Sequence, residues 1–296
     1  DLKLERKVVL EEISMVDDTP DDLVFELHSE QMWGDHPYGY NILGTRETVS
    51  SLGVRELKEL HRRAYHPPQL VVAASGNVTH DRLLAELHET GWADIARGDG
   101  SIPLVPAPVA APPTTRHVAR DSAQTHIVFG RPTVPHGDPR RLAIVLVSSI
   151  LGGGMSSLLF QRVREELGLA YSVYTFQSFH LDTGTHGIYV GTAPETAAEA
   201  TSAIRDELAR LVERGLSDDE ITMAKSQLKG QLTLSMESVS SRMYRAAGVE
   251  LYQEPYRSLD EILAEIEEIS REDVVSVCRE FFDPETHTVL SLGPAA

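Results

Sequence analysis

The run Val54-Arg55-Glu56-Leu57-Lys58-Glu59-Leu60, followed by Tyr65 and Pro67, returns 217 residues later as Arg271-Glu272-Asp273-Val274-Val275-Ser276-Val277, followed by Phe282 and Pro284. In the first run Val54, Leu57, Leu60 and Ala64 fall on one face of a helix. The same register pairs Val49 with Ile266, Leu52 with Ile269, Glu56 with Asp273 and Gly76 with Gly293, with no gap. One residue further on, Pro37-Tyr38 meets Pro255-Tyr256 and Lys7 meets Lys225. A gapless internal repeat of this length marks two copies of one structural unit. The expected fold is therefore α+β, with two homologous α/β domains, each a sheet flanked by helices.

Between the copies the chain changes character. Residues 97–115 hold Pro103, Pro106, Pro108, Pro112 and Pro113 with Gly98 and Gly100, and show no periodicity. Such composition reads as a linker. It divides the chain into residues 1–96, the linker 97–115, and residues 116–296. In the first part, helices are expected near the N-terminus, over Asp21 to Trp33, Val54 to Ala64 and Asp81 to Glu89, with a strand at Leu70 to Ser75. The second part predicts strands near Thr125 to Phe129, Ala170 to Phe176, Gly187 to Gly191 and His287 to Leu292. Its helices lie near Arg140 to Leu151, Ser156 to Leu167, Glu195 to Glu213, from Ser217, and over Leu259 to Ile269 and Glu272 to Phe282. Ser217-Asp218-Asp219-Glu220 is a capping box, and Gly168 is placed to end a helix in the left-handed conformation.

The copies differ in two ways. The second has about 150 residues between the linker and Ile266, whereas 48 precede Val49, so the first domain reads as shortened at its front by about a hundred residues. The other difference lies in the opening stretch, Glu5-Arg6-Lys7-Val8-Val9-Leu10-Glu11-Glu12. At 100° per residue Glu5 and Glu12 stand about 20° apart, two turns from each other. Val8, Val9, Met15 and Val16 share their sector, and Lys3, Lys7, Ser14 and Asp17 take the opposite side. Two carboxylates on an apolar face are expected to be buried, and then must be paired, hydrogen-bonded or bound to metal. In the second copy Gly230 stands where Glu12 does. A carboxylate needed only for folding should recur, so the difference moves Glu12 toward function.

Composition sets outer limits. Of 296 residues 41% are apolar and 24% charged, as in packed globular proteins. A net charge of −18 argues against nucleic acid or an anionic membrane as partner and is compatible with cationic peptides. The lone cysteine, Cys278, excludes an internal disulfide framework, and its neighbours Val274, Val275 and Val277 favour burial. No run of 18 apolar residues spans a bilayer. With no leader visible the expected compartment is the cytoplasm, although a front missing from the sequence would carry any leader.

Five stretches together resemble the M16 metallopeptidases, the family of insulysin, pitrilysin and mitochondrial processing peptidase, and most closely its bacterial processing-protease branch. They are Glu5 to Glu12, Gly34-Asp35-His36-Pro37-Tyr38-Gly39, Val71 to Val78, Leu151-Gly152-Gly153-Gly154-Met155-Ser156-Ser157, and Arg164-Glu165-Glu166-Leu167-Gly168-Leu169-Ala170-Tyr171. The resemblance covers essentially the whole chain. It implies a zinc-dependent endopeptidase that cleaves peptides, or unfolded and presequence polypeptides, held extended between domains. It also implies a homodimer or a heterodimer with another subunit of the same type. By position in the Glu-x6-Glu pattern, Glu12 resembles the third zinc ligand and Glu5 the glutamate supporting it. Arg164 and Tyr171 resemble the pair that binds substrate backbone and steadies the tetrahedral intermediate. An arginine beside a phenol suits a developing oxyanion, while the plain reading of the residues is a solvated arginine and a core tyrosine. Gly152, Gly153 and Gly154 either admit a peptide main chain closely or simply form a turn.

One departure is decisive. The family's His-x-x-Glu-His motif, which supplies two zinc ligands and the general base, is absent, and none of the 12 histidines has that spacing. The residues given are therefore not expected to hold catalytic zinc alone. A competing reading remains: a non-catalytic peptide-binding or structural partner subunit, a role that members of the same superfamily also fill.

Overall fold

The computed structural model describes residues 1–92, 105–109 and 111–295. The first part is helical: α1 (Leu2–Asp17), α2 (Pro20–Trp33), α3 (Arg46–Ser51), α4 (Val54–Ala64) and α5 (His80–Glu89). The second alternates β1 (Thr115–Ala119), β2 (Thr125–Thr133), α6 (Arg141–Gly152), a π-helical segment Phe160–Glu166, β3 (Ala170–Phe179), β4 (Gly184–Thr192) and α7 (Ala197–Arg214). It closes with α8 (Asp218–Ser235), α9 (Val239–Leu251), α10 (Leu259–Glu268), α11 (Arg271–Phe281) and β5 (Thr288–Gly293). The five strands form one mixed sheet in the order β1-β5-β2-β4-β3, with β1 and β5 parallel and the other pairs antiparallel. No helix of the described residues is long and apolar enough to cross a membrane.

The repeat is visible element by element. Helix α4, shifted by 217, lands on the bounds of α11, and the short turns Pro67–Gln69 and Pro284–Thr286 coincide in the same way. Shifted by 218, α1 falls on α8 and α2 on α9, within a residue or two at each end. The expected strand Leu70 to Ser75 is the exception. Its counterpart β5 lies between β1 and β2, whereas Leu70–Ser75 pairs with no strand among the described residues. A strand exists only as part of a ladder, and the sequence pattern alone could not supply the neighbour. The proline-rich reading of 97–115 was also too long at one end: Thr115 already begins β1, while 97–104 and 110 lie outside the described residues. Helices α3 and α9 were not foreseen.

Both faces of the sheet are covered. Strand side chains alternate, so Ile127, Phe129, Ile188, Val190 and Val289 point to one side, where they pack with residues of α6, α7 and α11 in the main core. Cys278 lies in that core, and burial pushes its thiol up to about 12. Val128, Tyr189, Leu290 and Leu292 point to the other side and are covered by Val24 of α2, with Leu23, Phe25 and Leu27 around it. Helix α2 belongs to the first copy, so the second copy's sheet takes its outer cover from across the linker. His28 fixes the contact: its Nε2 lies 3.1 Å from the Thr288 carbonyl oxygen. The ring occupies the space above Gly130, where a Cβ would fall 2.2 Å from His28 Cε1.

Two expectations follow from this packing. Gly130→Ala displaces His28 and destabilises the protein by about 2 kcal/mol, read as a lower urea midpoint at an unchanged slope; an unaltered midpoint would contradict the packing. Burial also pushes the imidazoles of His28 and His287 from 6.5 down to about 4. Folded, both stay neutral over a range in which the unfolded chain is protonated. Their stabilising effect is therefore complete above pH 6.5 and is lost as the pH falls toward 4, on the order of 3 kcal/mol for each. Thermal unfolding at pH 7 and pH 4.5 should show a clear drop in Tm, smaller in His28→Gln than in the parent.

Candidate functional site

The helical turns that carry Arg164 end at Gly168, whose φ of +63° is the left-handed conformation that a side chain disfavours. That reversal sends the chain directly into β3 and returns Tyr171 to the level of Arg164. The Arg164 guanidinium stands 4.7 Å from the centre of the Tyr171 ring and 4.7 Å from that of Phe160. Its Nη1 donates to the Tyr171 carbonyl oxygen at 2.9 Å. Glu165 is the carboxylate beside it, 3.7 Å away. Tyr171 itself sits in a bulge: Ala170 pairs with Thr192 and Ser172 with Gly191, which leaves Tyr171 unmatched between them. A bulge turns a side chain out of the ladder, and Tyr171 is 76% exposed. The plain reading of a core tyrosine is thus not what the fold does with it. Strand β3 is also one of the two end strands of the sheet among the described residues. An exposed phenol and a cation, held together beside an end strand, can donate hydrogen bonds to peptide carbonyl oxygens.

The glycine run divides by role. A Cβ on Gly152 would fall 2.6 Å from the Thr175 amide nitrogen, and one on Gly153 2.6 Å from the Ser149 carbonyl oxygen. These two glycines serve the close approach of α6 to β3 and the end of α6. Gly154 meets nothing within 4 Å and is open to a ligand.

Glu5 and Glu12 lie where the periodicity placed them, on one side of α1, but the expectation of burial fails. Both are exposed, as are their neighbours Leu4, Val8 and Met15, and Ile13 is the buried residue of α1. The helix is held from its other side, where Arg6 Nε donates to the Val49 carbonyl at 3.2 Å and Arg46 Nη2 to Ser14 Oγ at 2.6 Å. Periodicity assigns residues to a side; only a covering element buries them, and among the described residues none packs there. Neither carboxylate has a hydrogen-bond or ion-pair partner among those residues. For a zinc ion the described residues alone are a poor fit. Zinc takes three or four protein ligands, Glu12 offers one, and no three His, Cys, Asp or Glu side chains among the described residues converge on a possible metal position. His61 stacks on Tyr65 with ring centres 4.9 Å apart.

Sequence reasoning missed a second feature beside Tyr171. An open hollow of about 670 Å³ lies between the start of α2 and the outer face of β3 and β4, bordered by Asp21, Asp22, Phe25, Tyr171, Tyr174 and Tyr189. In sequence Asp21 and Asp22 read only as helix-capping residues, and the tyrosines come from two separate strands, β3 and β4.

A family model described as the Peptidase M16 inactive domain matches residues 51–228. An uncharacterized zinc protease of Streptomyces coelicolor is 38% identical over 285 residues, which are 95% of this chain and 62% of the relative. One of Bacillus subtilis is 34% identical over 295 residues, 100% of this chain and 71% of the relative. The chain thus spans between about three fifths and seven tenths of the length of these relatives. Among solved structures, the peptidase M16 inactive domain from Pseudomonas fluorescens superposes with a TM-score of 0.90 at 22% identity, covering 100% of this chain and 71% of that one. A chain of Complex III2 from Candida albicans gives 0.86 at 21%, covering 99% and 71%. At these identities the superpositions speak to fold.

Gly168→Ala should lower stability by about 1 kcal/mol through its left-handed φ and loosen the Arg164–Tyr171 contact, whereas Gly154→Ala should leave stability unchanged. Chemical denaturation of both variants separates the two glycines; equal effects would contradict the assignment.

Proposed function

Since the chain belongs to the M16 peptidase family, we propose that the intact protein is a metalloendopeptidase and that these residues form its peptide-binding side. The observation that carries the reading is the Arg164–Tyr171 pair, stacked at 4.7 Å and presented at an end strand of the sheet. An extended peptide adds to β3 through main-chain hydrogen bonds. Arg164 and the Tyr171 hydroxyl take the oxygen of the peptide group to be cleaved, the hydroxyl as a neutral donor and the guanidinium as a fixed positive charge. Gly154 leaves room for the peptide main chain. Gly152 and Gly153 act by holding α6 against β3. Glu12 as a ligand, with Glu5 behind it, would form one wall of a zinc site whose further ligands are not found among the described residues. Their exposure without partners, on an apolar helix face, supports that reading: carboxylates so placed are available to a covering element that brings its own charge.

The second reading, a non-catalytic peptide-binding partner within a dimer of M16-type subunits, draws on the same pair and on the lack of a converging ligand set among the described residues. Zinc content and turnover of the intact protein separate the two. Under the peptidase reading, Tyr171→Phe lowers kcat on a quenched peptide by about a hundredfold with zinc unchanged, and Glu12→Gln lowers zinc and activity together. An intact protein that holds no zinc and cleaves nothing, yet binds peptide through Arg164, would establish the partner reading.

A further inference from the structure

At the end of α6 away from the glycine run, an open cleft of about 780 Å³ separates the turn before α6 from the connection between α9 and α10. Its wall carries an arginine whose donors the fold leaves idle. The Arg141 side chain is only 17% exposed, yet its guanidinium donates no hydrogen bond among the described residues, and its ion-pair partner, Glu254 Oε1, stands 3.8 Å away. Burial pulls the Arg141 pKa down, as expected of a cation drawn out of water without partners for its N–H groups. Beside it, the His136 ring lies flat on Tyr252, with centres 3.7 Å apart and planes within 2°. Its Nδ1 is 2.9 Å from Glu254 Oε1, which leaves Nε2 without a partner among the described residues. Gln253, between Tyr252 and Glu254, has a φ of +54° and is the one non-glycine residue with positive φ among those described. Backbone held in that region concentrates at ligand sites. Most acids of the cleft are already engaged. Arg140 holds Asp138 at 2.8 Å, Arg257 holds Glu254 at 3.0 Å and Glu265 at 2.7 Å, and Asp273 caps α11. Glu268, exposed at the end of α10, is the exception.

We infer that this cleft binds a small oxyanion, a carboxylate or a phosphate group, between the Arg141 guanidinium and His136 Nε2. The planar fork of a guanidinium matches either group with two parallel hydrogen bonds. In a chain of net charge −18, an anion is held only where the local structure gathers donors for it. His136 contributes in a way that depends on pH. Glu254 holds Nδ1–H, so the neutral ring presents Nε2 as an acceptor, and only the imidazolium donates from Nε2 to an anion. Facing the ring are Arg141 of α6, then Tyr252, Glu254 and Arg257 of the α9–α10 connection, with Glu265 of α10 and Asp273 of α11 across the cleft. Burial and the two arginines lower its pKa, and Glu254 raises it. An added anion favours the charged ring, so binding takes up a proton and strengthens as the pH falls through the His136 titration. The 12 residues of α6, about 18 Å in length, separate this cleft from the glycine run, and the inference does not depend on the peptide-binding reading.

The test is a titration of the chain with inorganic phosphate and, separately, with acetate, at constant ionic strength, read by NMR at the Arg141 Nε–H and the His136 ring. Saturable shifts at both residues are expected, with the His136 titration moved to higher pH once the site is filled. A response to acetate alone makes the ligand a carboxylate, to phosphate alone a phosphate group, and to both an oxyanion of either kind; each of these supports the site. Arg141→Gln should weaken binding about tenfold or more. Arg141→Lys keeps the charge beside Glu254, and so the fold, but lacks the fork, and it should weaken binding as well. Absence of a saturable shift with both anions, or affinities in the two Arg141 variants equal to the parent's, overturns the site.

Discussion

The packing of α2 against the outer face of the sheet is the contact on which the rest depends. Strand β4 is buried at each of its nine residues, a state that requires cover on both faces. The helices of the second copy supply one layer; Val24, Phe25 and His28 of the first copy supply the other. Gly130 makes that possible by leaving the space into which His28 fits. Because the cover comes from the far side of the linker, the two copies are not independent bodies joined by a tether. The start of α2 is thereby brought beside β3, and the acids of one copy face the tyrosines of the other.

On this frame the site needs few special features. Gly168 reverses the chain, the bulge at Tyr171 turns the ring outward, and Arg164 is clamped between two aromatic rings with one N–H committed to the Tyr171 carbonyl. A guanidinium held in this way loses little further freedom when it meets a ligand. The π-helical segment around Arg164 is a second departure from regular geometry within a dozen residues, and such departures concentrate where a fold presents functional groups.

Much of this was legible in the sequence, for identifiable reasons. The gapless register of Leu57 with Val274 and Leu60 with Val277 announced the repeat, and the bounds of α4 and α11 follow it residue for residue. The meeting of Arg164 with Tyr171 could be expected because Gly168 stands between them. The burial of Glu5 and Glu12 could not be judged, since a hydrophobic pattern identifies the apolar side of a helix and not what covers it. The same limit applies to Leu70–Ser75, which has the composition of β5 without its neighbours. The bulge left no composition signal, and the hollow joins residues 21, 22, 25, 171, 174 and 189, which no local pattern connects. Helix α9 carries Ser240, Ser241 and Gly248, which are poor helix formers and hid it from a reading by composition.

The central claim is that Arg164 and Tyr171 act as one unit on a bound peptide. A double-mutant cycle measures this directly: Arg164→Ala, Tyr171→Phe and the pair, each assayed for binding of an extended peptide to the chain. Coupled groups in one contact give interaction energies of roughly 0.5–3 kcal/mol. The account predicts that the second substitution costs much less once the first is made, by at least about 1 kcal/mol. Losses that simply add would show that the two residues work apart, and would contradict it.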